Sequence, residues 1–231
     1  MAAQGVHKIT ADFEQALCKY TGAPYAVAVD NASNALFLAL KFEFTVHRDV
    51  YGDKPIIVIP ANTYPSVPCE IIHAGGKVVF LKYHSCIGGT FEGTDSKYLT
   101  GIYPLLGSNV WDSALRFTHD MYKPGTHMCL SFTGPYKHLK LGKGGAILTD
   151  DEQAYKWFKK ARFSGRDECA YHVDDFDNEP VIGWNFYMMP EIAARGLLLI
   201  AQFYNQDGSP KSNPDLSLPY PDLSKFKLWQ Q

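Results

Sequence analysis

The sequence predicts an α/β fold in which a mostly parallel central sheet is flanked by helices. Short, continuously apolar runs such as 26–29 and 56–59 are typical of strands that are buried on both faces. Longer runs with helical spacing lie between strands of this kind. In the segment 152–162, for example, Tyr155 and Phe158 fall on one helical face. Alternation of these two patterns favours a sheet that is covered by helices on both sides.

Each element is assigned from its local pattern and its end signals. Strands are predicted at 26–29, 56–59, 78–81, 98–103, 128–132 and 146–148. Helices are predicted at 13–20, 35–44, 66–73 and 152–162, and from Pro190 onward, where proline suits a first helical turn. Asn31 and Ser33 are both good N-cap residues for the helix at 35–44.

The chain divides into a large domain, residues 1–204, and an extended C-terminal tail, residues 205–231. The first segment carries all of the predicted strands and helices. The second begins with residues 205–218, which are rich in Asn, Asp, Ser and Pro, a composition that does not favour a packed core.

The composition excludes several classes of protein. The net charge is −2 and no long run of Lys or Arg occurs, which argues against nucleic acid and anionic membranes as partners. No stretch reaches the roughly 18 apolar residues of a membrane helix, and the first five residues lack the features of a signal peptide. Five scattered cysteines without a CxxC pair indicate neither a zinc site nor a disulfide framework. We therefore expect a metal-free, cytoplasmic protein.

Four local segments could carry chemistry, and each also has a purely structural explanation. The last of them, residues 183–191, leads into the helix that starts at Pro190, and a packed core helix with an aromatic lead-in explains all of it except Asn185. The turn 31–34 precedes a helix, so it is either a capped helix start or an anion site made of backbone N–H groups. It lacks the glycine patterns of dinucleotide folds and P-loops. Asp112 follows the apolar pair Val110-Trp111, which we interpret as the end of a further short strand. α/β sheets place ligands at such a position, but an ordinary arginine partner would satisfy the carboxylate equally well.

The third segment is the Gly/Pro-rich loop that follows the strand at 128–132. It holds Lys137, Lys140 and Lys143. A lysine that is partly desolvated has a lowered pKa and can form a Schiff base, whereas a solvated loop lysine has no such role. The loop itself ranks none of the three above the others.

Taken in order, these segments resemble the DegT/DnrJ/EryC1/StrS family of pyridoxal 5′-phosphate (PLP)-dependent sugar aminotransferases, which have fold type I. The similar stretches run from about Phe13 to Phe203. They are YAVAVDNASNALFLAL, VIPANTYPSVPCEIIHAGGKVVFL, VWDSA, SFTGPYKHLKLGKGGAILTDD, FSGRD and GWNFYMMPEIAARGLLLIAQF. The resemblance implies the large domain of a fold-type-I enzyme, with the C-terminal small domain largely missing.

The resemblance also implies a role for each matching residue. Lys137 would form the Schiff base with PLP and shuttle the proton, and Asp112 would pair with the pyridine N–H⁺. Tyr64 would stack on the cofactor ring. The phosphate would be held by Ala32, Ser33, Asn34 and Ser131, with Asn185 reaching in from the other subunit of a homodimer.

The implied reaction is transfer of an amino group from glutamate to the keto group of a nucleotide-linked sugar. Two alternatives remain: a catalytically idle paralogue that binds PLP, and another PLP reaction on a sugar, such as dehydration. The sequence departs from the family pattern at several positions. Leu115 stands where family members carry Gln or His, and Tyr187 stands where they carry Arg. The connection between Thr100 and Asp112 is also too short for the helix that family members place there.

Overall fold

The computed structural model describes residues 7–51, 53–81, 98–168 and 179–229. The first five residues, Cys86 and Cys169, which the sequence analysis used, lie outside these ranges. The helices are α1 (Lys8–Thr21), α2 (Ala32–Val46), α3 (Arg48–Tyr51), α4 (Ser66–Ala74), α5 (Glu152–Ala161) and α6 (Pro190–Ile200). The strands are β1 (Tyr25–Val29), β2 (Ile56–Pro60), β3 (Lys77–Leu81), β4 (Tyr98–Thr100), β5 (Tyr103–Pro104), β6 (Val110–Asp112), β7 (His127–Ser131), β8 (Gly145–Thr149) and β9 (Ser217–Pro219).

The central sheet has five strands in the order β1-β8-β7-β6-β5. The predicted α/β class is confirmed, but the sheet is mixed rather than mostly parallel. Strands β6 and β7 run parallel within it, while the other three neighbouring pairs are antiparallel. Strands β2 and β3 form a separate parallel pair. That pair joins the edge of the sheet through two hydrogen bonds between Val58 and Leu106, of 2.9 and 3.0 Å.

The hairpin between β5 and β6 explains part of this difference in strand direction. Residues 105–109 are the whole connection, and a parallel crossover needs a dozen residues or more. The chain therefore turns back directly, which pairs Tyr103 with Asp112 across the two strands. The single strand that we predicted at 98–103 is also divided, because β4 leaves the sheet to pair with β9 near the C-terminus.

Alternating side chains of the strands pack into two hydrophobic cores, one on each face of the sheet. Val27, Cys129 and Ile147 point to the core that contains α2 and α5. Their neighbours along the strands, such as Ala28 and Leu130, point to the core that contains α1 and α6. This period of two is expected of strands that are buried on both sides.

One charged cluster is buried between these layers. The side chain of Arg162 is fully buried and forms ion pairs with Glu14 and Glu168. Lys159 Nζ lies 3.2 Å from Glu14 and 2.8 Å from Glu168. Glu14 also accepts the backbone N–H of Ala28 at 2.8 Å, which links α1 to the middle of β1. The charges therefore hold α1, β1 and the end of α5 together.

Stability should fall in acid as this cluster loses its charge. Burial raises the pKa of Glu168, but the charges of Arg162 and Lys159 outweigh that effect and hold the pKa at about 2, against 4.5 for an unperturbed glutamate. Because the folded-state pKa is depressed, the stabilisation is complete above pH 4.5 and is lost as the pH falls toward 2. Urea unfolding at several pH values would measure this, and a Glu168→Gln variant should show a shallower decline.

The C-terminal segment, residues 205–229, packs against the rest of the described chain. Strand β9 pairs with β4, and two 3-10 helices follow at Leu223–Lys225 and Lys227–Trp229. The side chain of Leu223 anchors this segment, since it is buried with 1% of its surface exposed. None of the helices that the described residues form has the length and apolar character that a bilayer crossing requires.

Candidate functional site

A cavity of about 450 Å³ lies at the carboxyl ends of β6 and β7 and at the N-terminus of α2. This is the edge of the sheet at which α/β proteins bind ligands, and the volume is in the range of small-molecule sites. Six of the eight residues singled out from the sequence line it: Ala32, Ser33, Tyr64, Asp112, Ser131 and Lys137. Asn34 and Asn185 do not.

The structure distinguishes Lys137 from the other two lysines of its loop. Lys140 and Lys143 are exposed, whereas Lys137 is partly buried and its Nζ donates a hydrogen bond of 2.6 Å to the carbonyl of Ala114. Burial lowers the pKa of the Lys137 amine, and the nearby Asp112 charge opposes that change. A lysine in this setting has more of the neutral, nucleophilic amine near neutral pH than a solvated lysine has.

Asp112 ends β6 and lies on the cavity wall with both carboxylate oxygens engaged. Oδ1 accepts the backbone N–H of Ala114 at 2.9 Å, and Oδ2 accepts the hydroxyl of Tyr103 at 3.0 Å. Burial raises the pKa of this carboxyl above its ordinary value. The two hydrogen bonds and the Lys137 charge act in the opposite direction and offset only part of that rise. The site thus holds an amine and a carboxyl group that are both largely removed from water.

The start of α2 opens on the same cavity. Asn31 is the N-cap, and its side chain accepts the backbone N–H of Asn34 at 2.8 Å. Ala32 and Ser33 are the first two helical residues, and their N–H groups have no acceptor within the helix. Gly145 allows β8 to approach this turn closely, since a Cβ there would lie 2.6 Å from the carbonyl carbon of Asn31. The turn can therefore present donors to an anion.

The side chain and backbone N–H of Asn34, which we expected to bind a phosphate, are both engaged by other residues. Its backbone N–H is taken by Asn31, and its side-chain amide donates to Asp30 Oδ1 at 2.7 Å. Asn185 lies elsewhere on the surface: it is exposed and forms a backbone bridge with Phe163. Neither residue contributes to the cavity of its own chain.

Several residues that line the cavity are not among the candidates that the sequence indicates. Tyr103 comes from β5, while Leu218 and Tyr220 come from the C-terminal segment. The rings of Tyr64 and Tyr220 meet edge to face, with their centroids 6.2 Å apart. An aromatic residue in a Pro-rich tail gives no local signal of a site, because its position depends on contacts that are distant in sequence.

Residues 213–220, which we call the C-terminal strap, contribute Leu218 and Tyr220 to the cavity wall. Arg116 donates two hydrogen bonds to Asp215, of 2.7 and 2.6 Å. The backbone of Leu216 accepts the N–H of Gly101 and donates to the carbonyl of Leu115. His138 contacts the carbonyl of Pro214 at 2.8 Å. The strap is therefore tied to the segments that flank both Asp112 and Lys137.

Removing the Asp215 carboxylate should loosen the strap. We expect the backbone amides of residues 216–218 to exchange with deuterium about fivefold faster in Asp215→Ala, because the loss of a partly buried ion pair is worth about 1 kcal/mol. Hydrogen–deuterium exchange with mass spectrometry measures this. The matched control is Asp207→Ala, since Asp207 bonds to the nearby Ser209, outside the strap. Equal exchange in the two variants would mean that the ion pair does not hold the strap.

The sequence and fold are similar to those of known proteins. The sequence profile of the DegT/DnrJ/EryC1/StrS aminotransferase family matches residues 5–86 and 119–207. Spore coat polysaccharide biosynthesis protein SpsC of Bacillus subtilis (strain 168) is 25% identical over a region that covers 69% of this chain and 46% of SpsC. The chain thus spans about half the length of this curated relative.

Solved structures match the fold. A protein of Bacillus cereus ATCC 10987 assigned as a PLP-dependent aminotransferase superimposes with a TM-score of 0.64 at 18% identity, covering 85% of this chain and 59% of its own. A mutant of GDP-4-keto-6-deoxymannose-3-dehydratase (ColD), with bound GDP-perosamine, superimposes with a TM-score of 0.60 at 15% identity. The match covers 84% of this chain and 61% of the ColD chain. The α/β fold described above therefore matches the large domain of fold-type-I aminotransferases.

Proposed function

Because the chain belongs to the DegT/DnrJ/EryC1/StrS aminotransferase family, we propose that it binds PLP through Lys137. We further propose that it transfers an amino group from glutamate to the keto group of a nucleotide-linked sugar. The observation that carries the proposal is the cavity in which the Lys137 amine, the Asp112 carboxylate and the N-terminus of α2 meet. PLP, when bound, withdraws electrons from the amino acid that is attached to it.

The residues of the cavity fit the chemical groups of PLP. The amine of Lys137 would attach to the aldehyde, and its lowered pKa favours the neutral form that reacts. Asp112 would accept a hydrogen bond from the protonated ring nitrogen, which gives a buried carboxylate the cationic partner that it requires. The side chain of Tyr64, which is 56% exposed, would pack against the ring at the cavity wall.

The phosphate would lie at the N-terminus of α2. Backbone N–H groups of Ala32 and Ser33 would donate to it, and the helix dipole favours an anion at this end. The hydroxyl of Ser33 donates to Ser66 at 2.8 Å, which orients the Ser33 oxygen at the cavity edge. Ser131 ends β7 at the same edge and would supply a further hydroxyl.

Lys137 would also move the proton. With PLP bound at the site, the Nζ of Lys137 would accept the proton that leaves Cα of the amino donor, hold it, and donate it again to complete the transfer. The carbonyl of Ala114 accepts a hydrogen bond from Nζ and would keep the amine within the cavity during this transfer. The strap, with Leu218 and Tyr220, would limit the entry of water into the cavity.

Two other functions follow from particular observations. Leu115 stands where family members carry Gln or His, and Tyr187 where they carry Arg, which supports the alternative that the chain binds PLP without turnover. The fold match to ColD, a sugar dehydratase, supports dehydration, but the dehydratases of this family carry histidine in place of the lysine, and here Lys137 is present. Transamination is the reaction that a lysine at this position favours.

The test is a spectral titration with PLP followed by glutamate. We expect PLP to give an absorbance band of the lysine-bound cofactor, and glutamate to replace that band with the band of the pyridoxamine form. A protein that binds PLP but never completes this conversion would contradict the aminotransferase proposal and favour the idle paralogue. Aspartate and alanine serve as comparison donors.

We also propose a homodimer in which Asn185 of each subunit reaches the phosphate of the other. Asn185 is exposed and outside its own cavity. We expect Asn185→Ala to weaken PLP binding about tenfold, the effect of one hydrogen bond to a charged group. Mixing Asn185→Ala with Lys137→Ala subunits should restore one intact site per mixed dimer. A strictly monomeric protein that binds PLP tightly would contradict the dimer.

A further inference from the structure

Tyr103 and Asp112 are direct cross-strand partners in the hairpin of β5 and β6. Side chains of such a pair lie on the same face of the sheet and within reach of each other. Both residues fall between the two parts of the chain that match the family profile. The pairing follows from the short connection at 105–109, which lets no crossover helix intervene.

The contacts of Tyr103 form a chain that ends on the carboxylate. The hydroxyl of Tyr103 donates to Asp112 Oδ2 at 3.0 Å, so the Thr63 hydroxyl, 2.6 Å away, donates to the tyrosine oxygen. Tyr103 is 1% exposed and Thr63 is fully buried. Burial and the Asp112 charge raise the pKa of Tyr103 well above its ordinary value. The phenol therefore keeps its proton and acts as a permanent donor.

The other groups that face Asp112 are few among the residues that the structure describes. Cys129 pairs with Asp112 from β7, and burial raises the pKa of its thiol, so it stays neutral. Burial raises the pKa of Tyr220, in the strap, to about 12, so it is neutral as well. Lys137 supplies the cationic charge. Tyr103 is thus the side chain whose hydroxyl donates directly to the carboxylate.

We propose that Tyr103 is a positioning residue, which fixes the orientation and the negative charge of Asp112 through the hydrogen bond from its hydroxyl to Oδ2. With Oδ1 held by the Ala114 N–H, this bond turns the carboxylate in one direction at the cavity wall. The inference rests on the proposed function in one respect: the group toward which Asp112 is held is the ring nitrogen of PLP.

The coupling is tested first in the protein without PLP. The protonation midpoint of the Asp112 carboxyl is followed by infrared difference spectroscopy, and Asp112→Asn identifies its band. We expect the midpoint to move to higher pH in Tyr103→Phe, because the charged form loses a donor. Thr63→Val should cause a smaller shift in the same direction. Tyr122→Phe is the matched control, since Tyr122 bonds to Thr126 outside the cavity. An unchanged midpoint in Tyr103→Phe would overturn the proposal.

The second arm measures PLP affinity against pH in the full-length protein. We expect Tyr103→Phe to bind PLP nearly as well as wild type above the protonation midpoint of its Asp112, as measured in the first arm, and about tenfold more weakly below that midpoint. A loss of affinity that is equal at all pH values would indicate a merely structural role and contradict the proposal. If the wild-type protein binds no PLP, the proposed function fails, while the infrared midpoint still decides the coupling between Tyr103 and Asp112.

Discussion

The Lys137→Ala variant is expected to lose covalent PLP binding completely, and with it all conversion of the cofactor by glutamate. The reason is that Lys137 is the loop lysine whose amine is partly buried and shares a cavity with Asp112. Binding of PLP should persist only as a weaker, non-covalent interaction through the phosphate. Absorbance spectra of the purified protein with added PLP measure both effects.

The same loop offers matched controls for this prediction. Lys140 and Lys143 are exposed, and Lys143 lies 3.5 Å from Asp30 at the surface. Lys140→Ala and Lys143→Ala should therefore keep the absorbance band and the response to glutamate. A variant at either position that abolishes the band, with Lys137→Ala unaffected, would move the anchor to that lysine.

The largest effect on stability is expected at Arg162, which does not line the proposed cofactor cavity. Replacement by methionine removes the buried cation and leaves Glu14 and Glu168 with Lys159 as their cationic partner. Breaking a buried ion pair in this way costs about 3–5 kcal/mol of unfolding free energy. Urea unfolding monitored by circular dichroism measures the loss. The Glu14→Gln/Arg162→Met double variant should recover part of it, because one uncompensated charge is then absent.

A surface pair provides the comparison for Arg162. Arg48 and Asp53 form an ion pair whose side chains are 71% and 79% exposed. Exposed pairs contribute little to stability because water and salt screen the two charges, so Arg48→Met should leave the unfolding free energy almost unchanged. If Arg162→Met cost no more than Arg48→Met, the cluster would not hold α1, β1 and α5 together.

Local patterns in the sequence predicted the elements that depend on local interactions. The apolar runs at β1, β2, β7 and β8 and the spacing within α5 placed these elements correctly. The α2 N-cap was narrowed to Asn31 or Ser33, and the structure selects Asn31. The loop sequence indicates three candidate lysines, and only the resemblance to the family distinguishes Lys137 among them, since burial is not visible in the loop sequence.

Features that depend on distant residues were not predictable in the same way. Strand direction at β5 and β6 depends on a short turn, and the register that joins Tyr103 to Asp112 depends on that direction. The pairs Arg116–Asp215 and Glu14–Arg162 join residues 99 and 148 positions apart. Neither the strap nor the buried cluster has a local sequence pattern, so both are identified only from the three-dimensional structure.

The central claim, that Lys137 anchors PLP in this chain, is tested most directly by trapping the adduct. The protein is incubated with PLP, reduced with borohydride and digested, and the pyridoxyl-modified residue is located by mass spectrometry. We expect one modified site, Lys137, and no labelling there when Lys137 is replaced by alanine. Modification of Lys140, Lys143 or scattered surface lysines, with Lys137 unmodified, would contradict it.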